Sequence, residues 1–368
     1  MNICFVSETA DPSNGSGRFA YSMVTRLVQD RQVQATTLVP RGEPVTHASV
    51  KAVLFKDNVR RFLLNPLIIA WYGRHADLIH AFDGWPCMIM AYLATRLSRK
   101  PYTVSLYGTY AVLPLLEWKK KWLMKAAYRH CALNAAISRC TADRIRRFFP
   151  SVHVEVINQG ISFAMYEQVR PAILPDETQY ILTVATMKSR KGFHVAIPAF
   201  ARVHNKHPEL KYVIVAKRKE GNIYLQSILK LVEDHHLQQA ILWKEGLSEE
   251  ELISLYQHAR VFFLPSVSLK DPAYFEGFGS VYLEAQSCGT PVVTSRGGGQ
   301  EDAMIDGETG YLIDEENVDQ AEAALERLVE DPALRARMSS SARAFAQRMD
   351  WSHVLDSYYE RFERILAR

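Results

Sequence analysis

Short apolar runs rich in β-branched residues alternate with amphipathic stretches through the first part of the chain. Apolar residues recur at helical spacing between the runs, for example at 18–29 and 86–97. Strands that alternate with helices are typical of βαβ units and of a parallel sheet. The runs that predict strands lie at 3–7, 34–39, 51–55, 77–82, 102–106, 133–138 and 152–157.

A break at 158–179, with Pro171 and Pro175 and little periodicity, separates this part from a second alternating part. After residue 317 the pattern is helical to the end. A chain of 368 residues suits two cores rather than one. The sequence therefore predicts an α/β protein of two doubly wound, Rossmann-like domains that face each other across a cleft. The strands of the second domain are predicted at 180–185, 212–216, 240–243, 261–264 and 291–294.

Charge is distributed unevenly between the two parts. Residues 1–160 hold 21 Lys and Arg against 10 Asp and Glu, whereas the remainder holds 23 against 30. A basic half is typical of a protein that meets an anionic partner, although a merely solvated basic surface gives the same count. The sequence shows neither an apolar leader nor a run of the ~18 apolar residues that a membrane span needs, so we expect a cytoplasmic protein. The five cysteines are scattered, without disulfide or zinc spacing.

The segment PSVSLKDPAYFEGFGSVYLEAQSCGTPVVTS, at 265–295, carries the most informative motif. Glu276 stands just before a Gly-Phe-Gly turn, and Glu284 follows it within a predicted helix. Glycine lets a ligand approach the backbone, and the free amides of a helix start can hold a diphosphate. Hydroxyls of a ribose or a sugar can satisfy the carboxylate of Glu284. Alternatively, Glu276 only caps the helix and Glu284 is a solvated surface residue.

The wider stretch resembles the donor-binding signature of the retaining glycosyltransferases of family 4. The preceding LWKEGLSEEELISLYQHARVFFLPS and the following TSRGGGQEDAMIDGETGYLID resemble the segments that flank this signature in the family. The resemblance implies a GT-B fold, in which residues 1–165 form an acceptor-binding domain and 175–348 a nucleotide-sugar-binding domain. It also implies that a last helix at 351–368 crosses back to complete the first domain.

The same resemblance assigns the donor site. It implies that Glu284 holds the nucleotide ribose, that Glu276 and nearby amides contact the donor sugar and diphosphate, and that the segment around 243–247 lies near the base. The donor-binding residues so implied are Glu284, Phe278, Gly279, Ser280, Thr186 and Gly246.

A second motif, TVATMKSRKGFHVAIPAF at 183–200, turns from a strand into a helix through basic residues. Cations in this turn can neutralise a leaving diphosphate, although an ordinary solvated basic loop has the same composition. The family carries an early arginine where this chain has Thr186, and Lys188, Arg190 or the basic run at 217–219 can substitute for it. The residues that we expect to act in catalysis are Glu276, Lys191 and Arg190.

Two loops of the first domain complete the expected site. Asn14-Gly15-Ser16-Gly17 lies between a strand and a helix and matches the glycine-rich first loop of the family, although a tight structural turn is equally consistent with it. The family's histidine before Gly108 is replaced by Tyr107, which can form hydrogen bonds but cannot shuttle protons near neutral pH. The residues expected to face the acceptor or the donor sugar are Gly15, Ser16, Gly17 and Tyr107.

LLEWKKKWLMKAAYR, at 115–129, puts two tryptophans one helical turn apart among lysines. This composition is typical of a helix on a membrane surface. We expect reversible contact with an anionic membrane through Trp118, Lys119, Lys120, Lys121, Trp122 and Lys125. The run at 60–74 either adds an apolar contact or is a core helix with basic ends. No nucleic-acid motif accompanies the charge, so nucleic acid is not expected as a partner.

The resemblance implies a retaining transferase that moves a hexose-type sugar from a nucleotide-sugar donor to a glycan or lipid-linked acceptor. The nucleotide sugar is its substrate, and no further cofactor is expected. The sequence has no Asp-x-Asp motif and no histidine cluster, so we expect metal-independent transfer. Two alternatives stay open: a nucleotide-sugar epimerase on the same fold, and a non-catalytic module that binds nucleotide sugars.

Overall fold

The computed structural model describes residues 1–12, 15–219 and 221–367. The chain divides into two compact units, and the first of them is discontinuous. Unit 1 consists of Met1–Gly160 and Trp351–Arg368, and unit 2 consists of Ile161–Asp350. Unit 1 gives way to unit 2 near the start of the stretch in which the sequence predicts an interdomain connection.

Unit 1 alternates strands with helices. Its elements up to residue 156 are β1 (Asn2–Val6), α1 (Gly15–Arg31), β2 (Gln34–Pro40), β3 (Val50–Leu54), α2 (Asn58–Leu63), α3 (Asn65–Gly73), β4 (Leu78–Phe82), α4 (Ile89–Ser98), β5 (Tyr102–Leu106), α5 (Thr109–Leu116), α6 (Trp118–His130), β6 (Leu133–Ala136), α7 (Arg139–Phe148) and β7 (Glu155–Val156). Over the described residues, the strands form one parallel sheet in the order β3-β2-β1-β4-β5-β6-β7. Each run that predicts a strand in this half contributes to that sheet.

Unit 2 repeats the same architecture. Its elements are α8 (Ala164–Glu167), β8 (Tyr180–Val184), α9 (Phe193–Lys206), β9 (Lys211–Val215), α10 (Ile223–Asp234), β10 (Ile241–Lys244), α11 (Glu249–His258), β11 (Val261–Leu264), α12 (Ser280–Ser287), β12 (Val292–Ser295), β13 (Gly310–Ile313), α13 (Val318–Glu330) and α14 (Pro332–Arg348). In the described part of the unit, the parallel sheet has the order β10-β9-β8-β11-β12-β13. The prediction of two doubly wound α/β sheets is therefore confirmed.

The edge strand β13 is the element that the sequence analysis missed. It pairs in parallel with β12, from Val292 opposite Gly310 to Ser295 opposite Ile313. Only four residues long, with a glycine at its start, it is too short to show the alternation that identifies a half-buried strand.

Local sequence signals fix several helix ends. Ser248 accepts a hydrogen bond from the amide of Glu251, whose carboxylate accepts one from the amide of Ser248, so α11 begins with a capping box. Asp331 caps α14 through the amide of Leu334, and Pro332 occupies the first helical position, where it needs no amide partner. These signals explain why the helical C-terminal pattern breaks at Asp331-Pro332.

The last helix, α15 (Trp351–Leu366), belongs to unit 1. Trp351 packs edge-on against Phe19 of α1, with ring centroids 5.2 Å apart. Further along the helix, the Tyr358 hydroxyl lies 2.8 Å from that of Ser105, which in turn contacts Nε2 of the buried His80 at 3.0 Å. Burial lowers the pKa of His80 to about 3, so its imidazole is neutral in the core. Among the described residues, no helix is both long and apolar enough to span a membrane.

Candidate functional site

The order of strands in unit 2 reverses between β8 and β11, which are neighbours in the sheet although five other helices and strands separate them in the chain. Open parallel sheets bind ligands outside the carboxyl ends of their strands, at such a reversal. The basic turn of the second motif directly follows β8, and the loop that leads to Glu276 directly follows β11. Topology therefore brings the two motifs to one point of the sheet edge.

At this point of the sheet edge, two cationic side chains contact Glu276. Its Oε2 accepts a hydrogen bond from Nη1 of Arg190 at 2.9 Å and another from Nζ of Lys191. Glu276 and Lys191 are each 8% exposed. Burial opposes ionisation of Glu276, but the charges of Lys191 and Arg190 outweigh it and hold the pKa of this carboxyl below its usual value. All three residues predicted to act in catalysis thus form one charged cluster.

Backbone contacts lock the two loops together. The amide of Val267 donates to the carbonyl of Arg190 at 2.8 Å. Gly192 has a φ of +70°, and a Cβ atom there would lie 1.8 Å from the carbonyl oxygen of Pro265. Because only glycine permits both this conformation and this approach, the Lys191-Gly192 pair fixes the cations against the end of β11.

The Gly-Phe-Gly turn opens α12. Gly279 precedes the helix with a φ of +85°, and a Cβ atom there would lie 2.3 Å from the ring of Tyr282. Ser280 is the first helical residue, whereas the side chain of Phe278 is buried. The glycine-rich segment after β12 approaches the same turn, since the amide of Gly299 donates to the carbonyl of Glu276 at 2.8 Å.

Glu284 lies in the second turn of α12 and is 5% exposed. Its Oε2 accepts a hydrogen bond of 3.0 Å from the hydroxyl of Tyr256 on α11. Burial raises the pKa of Tyr256 far above its usual value, so the phenol remains a donor at any physiological pH. The sequence analysis did not identify this partner, which uses part of the hydrogen-bonding capacity of Glu284 inside the unit.

Three other predicted positions of unit 2 lie in exposed loops after strands. Thr186 follows β8, the basic run at 217–219 follows β9, and Gly246 follows β10. Since all of these strands are parallel, the three loops share the sheet edge that carries Glu276. Arg218 reaches from this run to β10, with its guanidinium 5.7 Å from the ring centroid of Trp243.

Unit 1 has its own reversal of strand order, between β1 and β4. Asp83 directly follows β4 and adopts φ +72° and ψ 165°, a backbone conformation that is almost restricted to glycine and costs about 1–3 kcal/mol. Its Oδ1 accepts hydrogen bonds from the amides of Gly84, at 2.8 Å, and Tyr107, at 3.3 Å. Burial raises the pKa of Asp83 to about 6. Strain and burial together are typical of a functional position.

A second carboxylate, Glu8, lies at the end of β1. Its Oε2 accepts a hydrogen bond of 3.3 Å from Nη2 of Arg61, whereas its Oε1 is buried without a hydrogen-bond partner. The hydroxyl of Tyr107 and Nε of Arg61 are likewise buried and unpaired. Burial raises the pKa of Glu8, although Arg61 opposes this. The sequence analysis missed Glu8 and Asp83, and the available signal was their position at the ends of two apolar runs.

The remaining predicted positions of unit 1 have different environments. Gly15 and Ser16 are exposed in the first turn of α1, and Asn14 lies outside the described residues. A Cβ atom at Gly17 would lie 2.1 Å from the carbonyl oxygen of Asp11, so this glycine serves close backbone packing. The ring of Tyr107 packs edge-on against Phe19 at 4.8 Å. No group of histidine, cysteine or carboxylate side chains that could hold a metal ion occurs in residues 1–12, 15–219 and 221–367.

The helix α6 exposes both of its tryptophans. Trp118 is 77% and Trp122 is 70% exposed. The lysine ammonium groups lie over aromatic rings at 4.8–5.9 Å from their centroids: Lys119 over Trp118, Lys121 and Lys125 over Trp122, and Lys120 over Trp85.

Two family models match consecutive parts of the chain. Glycosyltransferase Family 4 matches residues 13–164, and Glycosyl transferases group 1 matches residues 166–345. Apart from residue 165, the two matches run without interruption from 13 to 345. The chain belongs to the family 4 glycosyltransferases. The predicted family is confirmed, and with it the prediction that the protein is a glycosyltransferase.

Relatives of this family 4 glycosyltransferase include curated enzymes. It is 25% identical over 328 residues to GDP-mannose-dependent alpha-(1-6)-phosphatidylinositol monomannoside mannosyltransferase of Mycolicibacterium smegmatis, which covers 86% of this chain and 79% of the relative. It is 32% identical over 192 residues to D-inositol 3-phosphate glycosyltransferase of Pseudarthrobacter chlorophenolicus. That alignment covers 51% of this chain and 44% of the relative.

Solved structures share the fold. HepE of Anabaena, in complex with UDP, superposes with a TM-score of 0.82 at 18% identity over 99% of this chain and 100% of its own. Sucrose-phosphate synthase of Thermosynechococcus elongatus superposes with a TM-score of 0.81 at 17% identity over 100% of this chain and 99% of its own. The GT-B fold predicted for this family 4 glycosyltransferase is thereby confirmed.

Proposed function

We propose that this family 4 glycosyltransferase transfers a hexose-type sugar from a nucleotide-sugar donor to a lipid-linked or glycan acceptor, with retention of the anomeric configuration and without a metal ion. The observation that carries the proposal is the buried cluster of Glu276, Arg190 and Lys191 at the strand reversal of unit 2. Two cations against one carboxylate leave a positive charge where the diphosphate of the donor would bind.

The positive charge of the cluster is in place before the donor binds. The leaving diphosphate gains negative charge as the glycosidic bond breaks, and fixed cations in a site that excludes water stabilise that charge without reorganising. Lys191 carries three N–H donors, and Arg190 carries five, so each can keep its contact with Glu276 and still donate to phosphate oxygens. The two side chains supply the charge that a divalent ion supplies in other transferases, which supports metal-independent transfer.

Retention follows from the face on which the acceptor attacks. In front-face displacement, the acceptor hydroxyl attacks from the side that the diphosphate leaves, and an oxygen of the diphosphate takes the hydroxyl proton. The cluster of unit 2 holds the leaving group, and Glu276 accepts hydrogen bonds from hydroxyls of the donor sugar. In this scheme the amides at Gly279 and Ser280 contact the diphosphate, Glu284 contacts the ribose, and the loop that carries Gly246 contacts the base.

The acceptor is proposed to bind unit 1 at the strand reversal near Glu8 and Asp83. Unpaired Oε1 of Glu8 can accept a hydrogen bond, whereas unpaired Nε of Arg61 and the hydroxyl of Tyr107 can donate one. Two carboxylates at this point disfavour a phosphate group. A neutral polyhydroxylated group therefore suits this position better than an inositol phosphate. The sugar head of a glycolipid, such as the acceptor in the name of the mannosyltransferase relative, has this chemistry.

A lipid-linked acceptor requires contact with a membrane. The exposed tryptophans and the lysines of α6 support reversible binding to an anionic leaflet at its cytoplasmic face. Indoles lie at the level of lipid headgroups, and lysines are attracted by their negative charge.

The test is a donor screen followed by product analysis. Purified protein is incubated with common nucleotide sugars, with and without neutral glycosides or glycolipids as acceptors, and nuclear magnetic resonance assigns the anomeric configuration of the product. We expect transfer from at least one donor with retained configuration. An inverted product would contradict the front-face mechanism. Isomerisation of the donor without sugar release would identify an epimerase, and binding without turnover a non-catalytic module.

A further inference from the structure

A regular stripe of exposed apolar side chains runs along α2 and α3. Val59, Leu63, Leu67 and Trp71 follow one another at intervals of four residues and are 68%, 67%, 54% and 55% exposed. Leu64 joins the two helices in a right-handed helical conformation, and its amide donates to the carbonyl of Arg60 at 2.8 Å, so the path is nearly one helix. Side chains four apart lie on one face of a helix.

The opposite face of α3 is also apolar. Ile69 and Gly73 are buried within unit 1, where α3 packs on α4. Packing in the core therefore accounts for one face of the run at 60–74 and leaves the stripe unexplained. Single exposed apolar residues are normal on a protein surface, but a contiguous row of large ones marks an interaction surface.

Trp85 joins the stripe to α6. Its ring lies 4.9 Å from the ring of Phe62, which neighbours Leu63 on α2. The ammonium of Lys120, which lies between the two tryptophans of α6 in sequence, is 4.8 Å from the centroid of the same indole. The stripe and the exposed face of α6 therefore belong to one surface of unit 1, which we name the α2/α3/α6 surface.

The charge of the segments that form this surface indicates what the surface binds. The segment 56–74 holds four basic residues against one acidic, and the segment 117–130 holds five against one. The same two segments carry the exposed aliphatic side chains and the three exposed indoles of Trp71, Trp118 and Trp122. On one face, aliphatic groups match the acyl chains of a bilayer, indoles match its interface, and lysines match its anionic headgroups.

We propose that the α2/α3/α6 surface docks on an anionic lipid bilayer, with the α2 and α3 stripe inserted among the lipids and α6 as its electrostatic anchor. The proposal deepens the membrane contact of the proposed function and adds the inserted element. Trp85 follows Asp83 by two residues, so the docked surface adjoins the proposed acceptor site of unit 1. A membrane-embedded acceptor then reaches that site by diffusion within the leaflet.

The test is sedimentation with vesicles of phosphatidylcholine, with or without one-third phosphatidylglycerol, at low salt. The test variant is Leu63→Glu/Leu67→Glu. Val169→Glu/Ile223→Glu is the matched control, because it replaces two exposed apolar residues of unit 2, 77% and 81% exposed, with the same charges. Leu63→Gln/Leu67→Gln separates the loss of apolar contact from the added charge.

We expect the wild type and the control to sediment with the anionic vesicles and the test variant to bind at least tenfold more weakly, with the glutamine variant in between. Brominated lipids should quench the tryptophan fluorescence of the wild type more than that of the Trp71→Phe variant. Equal binding of test and control variants would overturn the proposal. So would a wild-type dimer that Leu63→Glu/Leu67→Glu dissociates, because the surface would then join two copies of the chain. Donor hydrolysis depends on the proposed donor site of unit 2, which none of these substitutions alters. If the wild type and every variant failed to hydrolyse a donor, that result would count against the proposed function and not against membrane docking.

Discussion

Glu276 and Lys191 form a buried ion pair although 85 residues separate them in the chain. Removing one member of such a pair leaves an uncompensated buried charge, which typically costs about 3–5 kcal/mol. Arg190 also contacts Glu276, so the carboxylate keeps one partner if Lys191 is lost. The pair therefore couples the stability of unit 2 to the charge of its proposed diphosphate site.

Changing Glu276 to glutamine should separate binding from catalysis. The substitution keeps the shape of the side chain but removes the anion that competes with a diphosphate for Arg190 and Lys191. We expect a nucleoside diphosphate to bind at least as tightly as it does to the wild type, while sugar transfer falls about 100-fold because the donor sugar is misplaced. Calorimetric titration and initial rates measure the two effects. A tenfold loss of diphosphate affinity would contradict the charge arrangement.

Changing Glu284 to alanine should weaken donor binding. Lost hydrogen bonds to a charged group cost about 1.5–3 kcal/mol, which is roughly 10- to 150-fold in affinity. The matched control is Tyr256→Phe, which removes an internal partner of Glu284 and should lower the free energy of unfolding by about 1.5–3 kcal/mol with little effect on nucleotide affinity. If Glu284→Ala remains folded and binds nucleotide as tightly as the wild type, the assignment of Glu284 to the ribose is wrong.

Changing Asp83 to asparagine should alter the pH dependence of stability. The pKa of Asp83 is about 6 in the folded protein, above the value of 3.8 for an unperturbed aspartate. The folded state therefore retains a proton that the unfolded state releases, and wild-type stability falls as the pH rises from about 4 to about 6. Asparagine does not ionise and can keep both amide hydrogen bonds. We expect equal stability at pH 4 and a gain of about 2 kcal/mol for the variant at pH 7.

Hydrogen exchange within β4 and β5 measures this difference for unit 1 alone. The comparison is made between variant and wild type at each pH because the neutral His80, with its pKa of about 3, destabilises both proteins as the pH falls below about 6.5. Asp83→Asn should also slow acceptor-dependent transfer and leave donor hydrolysis unchanged. If the free energies of unfolding of the two proteins changed in parallel with pH, Asp83 would ionise as readily in the folded state as in the unfolded state, and the expected gain would be wrong.

Reversing the charge of Lys119, Lys120, Lys121 and Lys125 to glutamate should abolish sedimentation with anionic vesicles and slow transfer to lipid-linked acceptors. Each lysine near an anionic surface contributes roughly 1 kcal/mol of attraction. Raised salt should weaken binding of the wild type in the same way, because this attraction decays within a Debye length of about 8 Å at physiological ionic strength. Vesicle binding that ignores both salt and the four substitutions would rule out the electrostatic role of α6.

Chelation should leave activity intact. The proposed charge compensation comes from Arg190 and Lys191, so transfer in excess EDTA should match transfer in buffer within twofold. Loss of activity in EDTA that magnesium or manganese restores would show that the two cations do not suffice.

The residues of the unit 2 cluster could be singled out from the sequence, whereas the contacts among them and the carboxylates of unit 1 could not. Glu276, Arg190 and Lys191 stand in long segments whose residue types resemble a known family. Glu8 and Asp83 stand 75 positions apart in ordinary loops, and only the pairing of β1 with β4 brings them together. Strand order is a long-range property, so apolar periodicity predicts the strands without predicting their neighbours.

The two faces of α3 show a second limit. Both faces are apolar, and a helix that is apolar all round is usually buried. The sequence therefore left open whether the run at 60–74 is a core helix or a surface contact. Only the packing of α3 on α4 separates the buried Ile69 from the exposed Leu67 and Trp71. β13 was missed for a simpler reason, since four residues that begin with a glycine carry too little pattern.

The return of α15 to unit 1 reverses the usual relation between translation and folding. Domains commonly fold in the order in which the ribosome makes them. Here the ribosome completes all of Ile161–Asp350 before it makes the helix that covers Phe19 and His80. Synthesis of unit 1 therefore begins before that of unit 2 and ends after it. The sheet of unit 1 leaves the exit tunnel with an apolar face still uncovered.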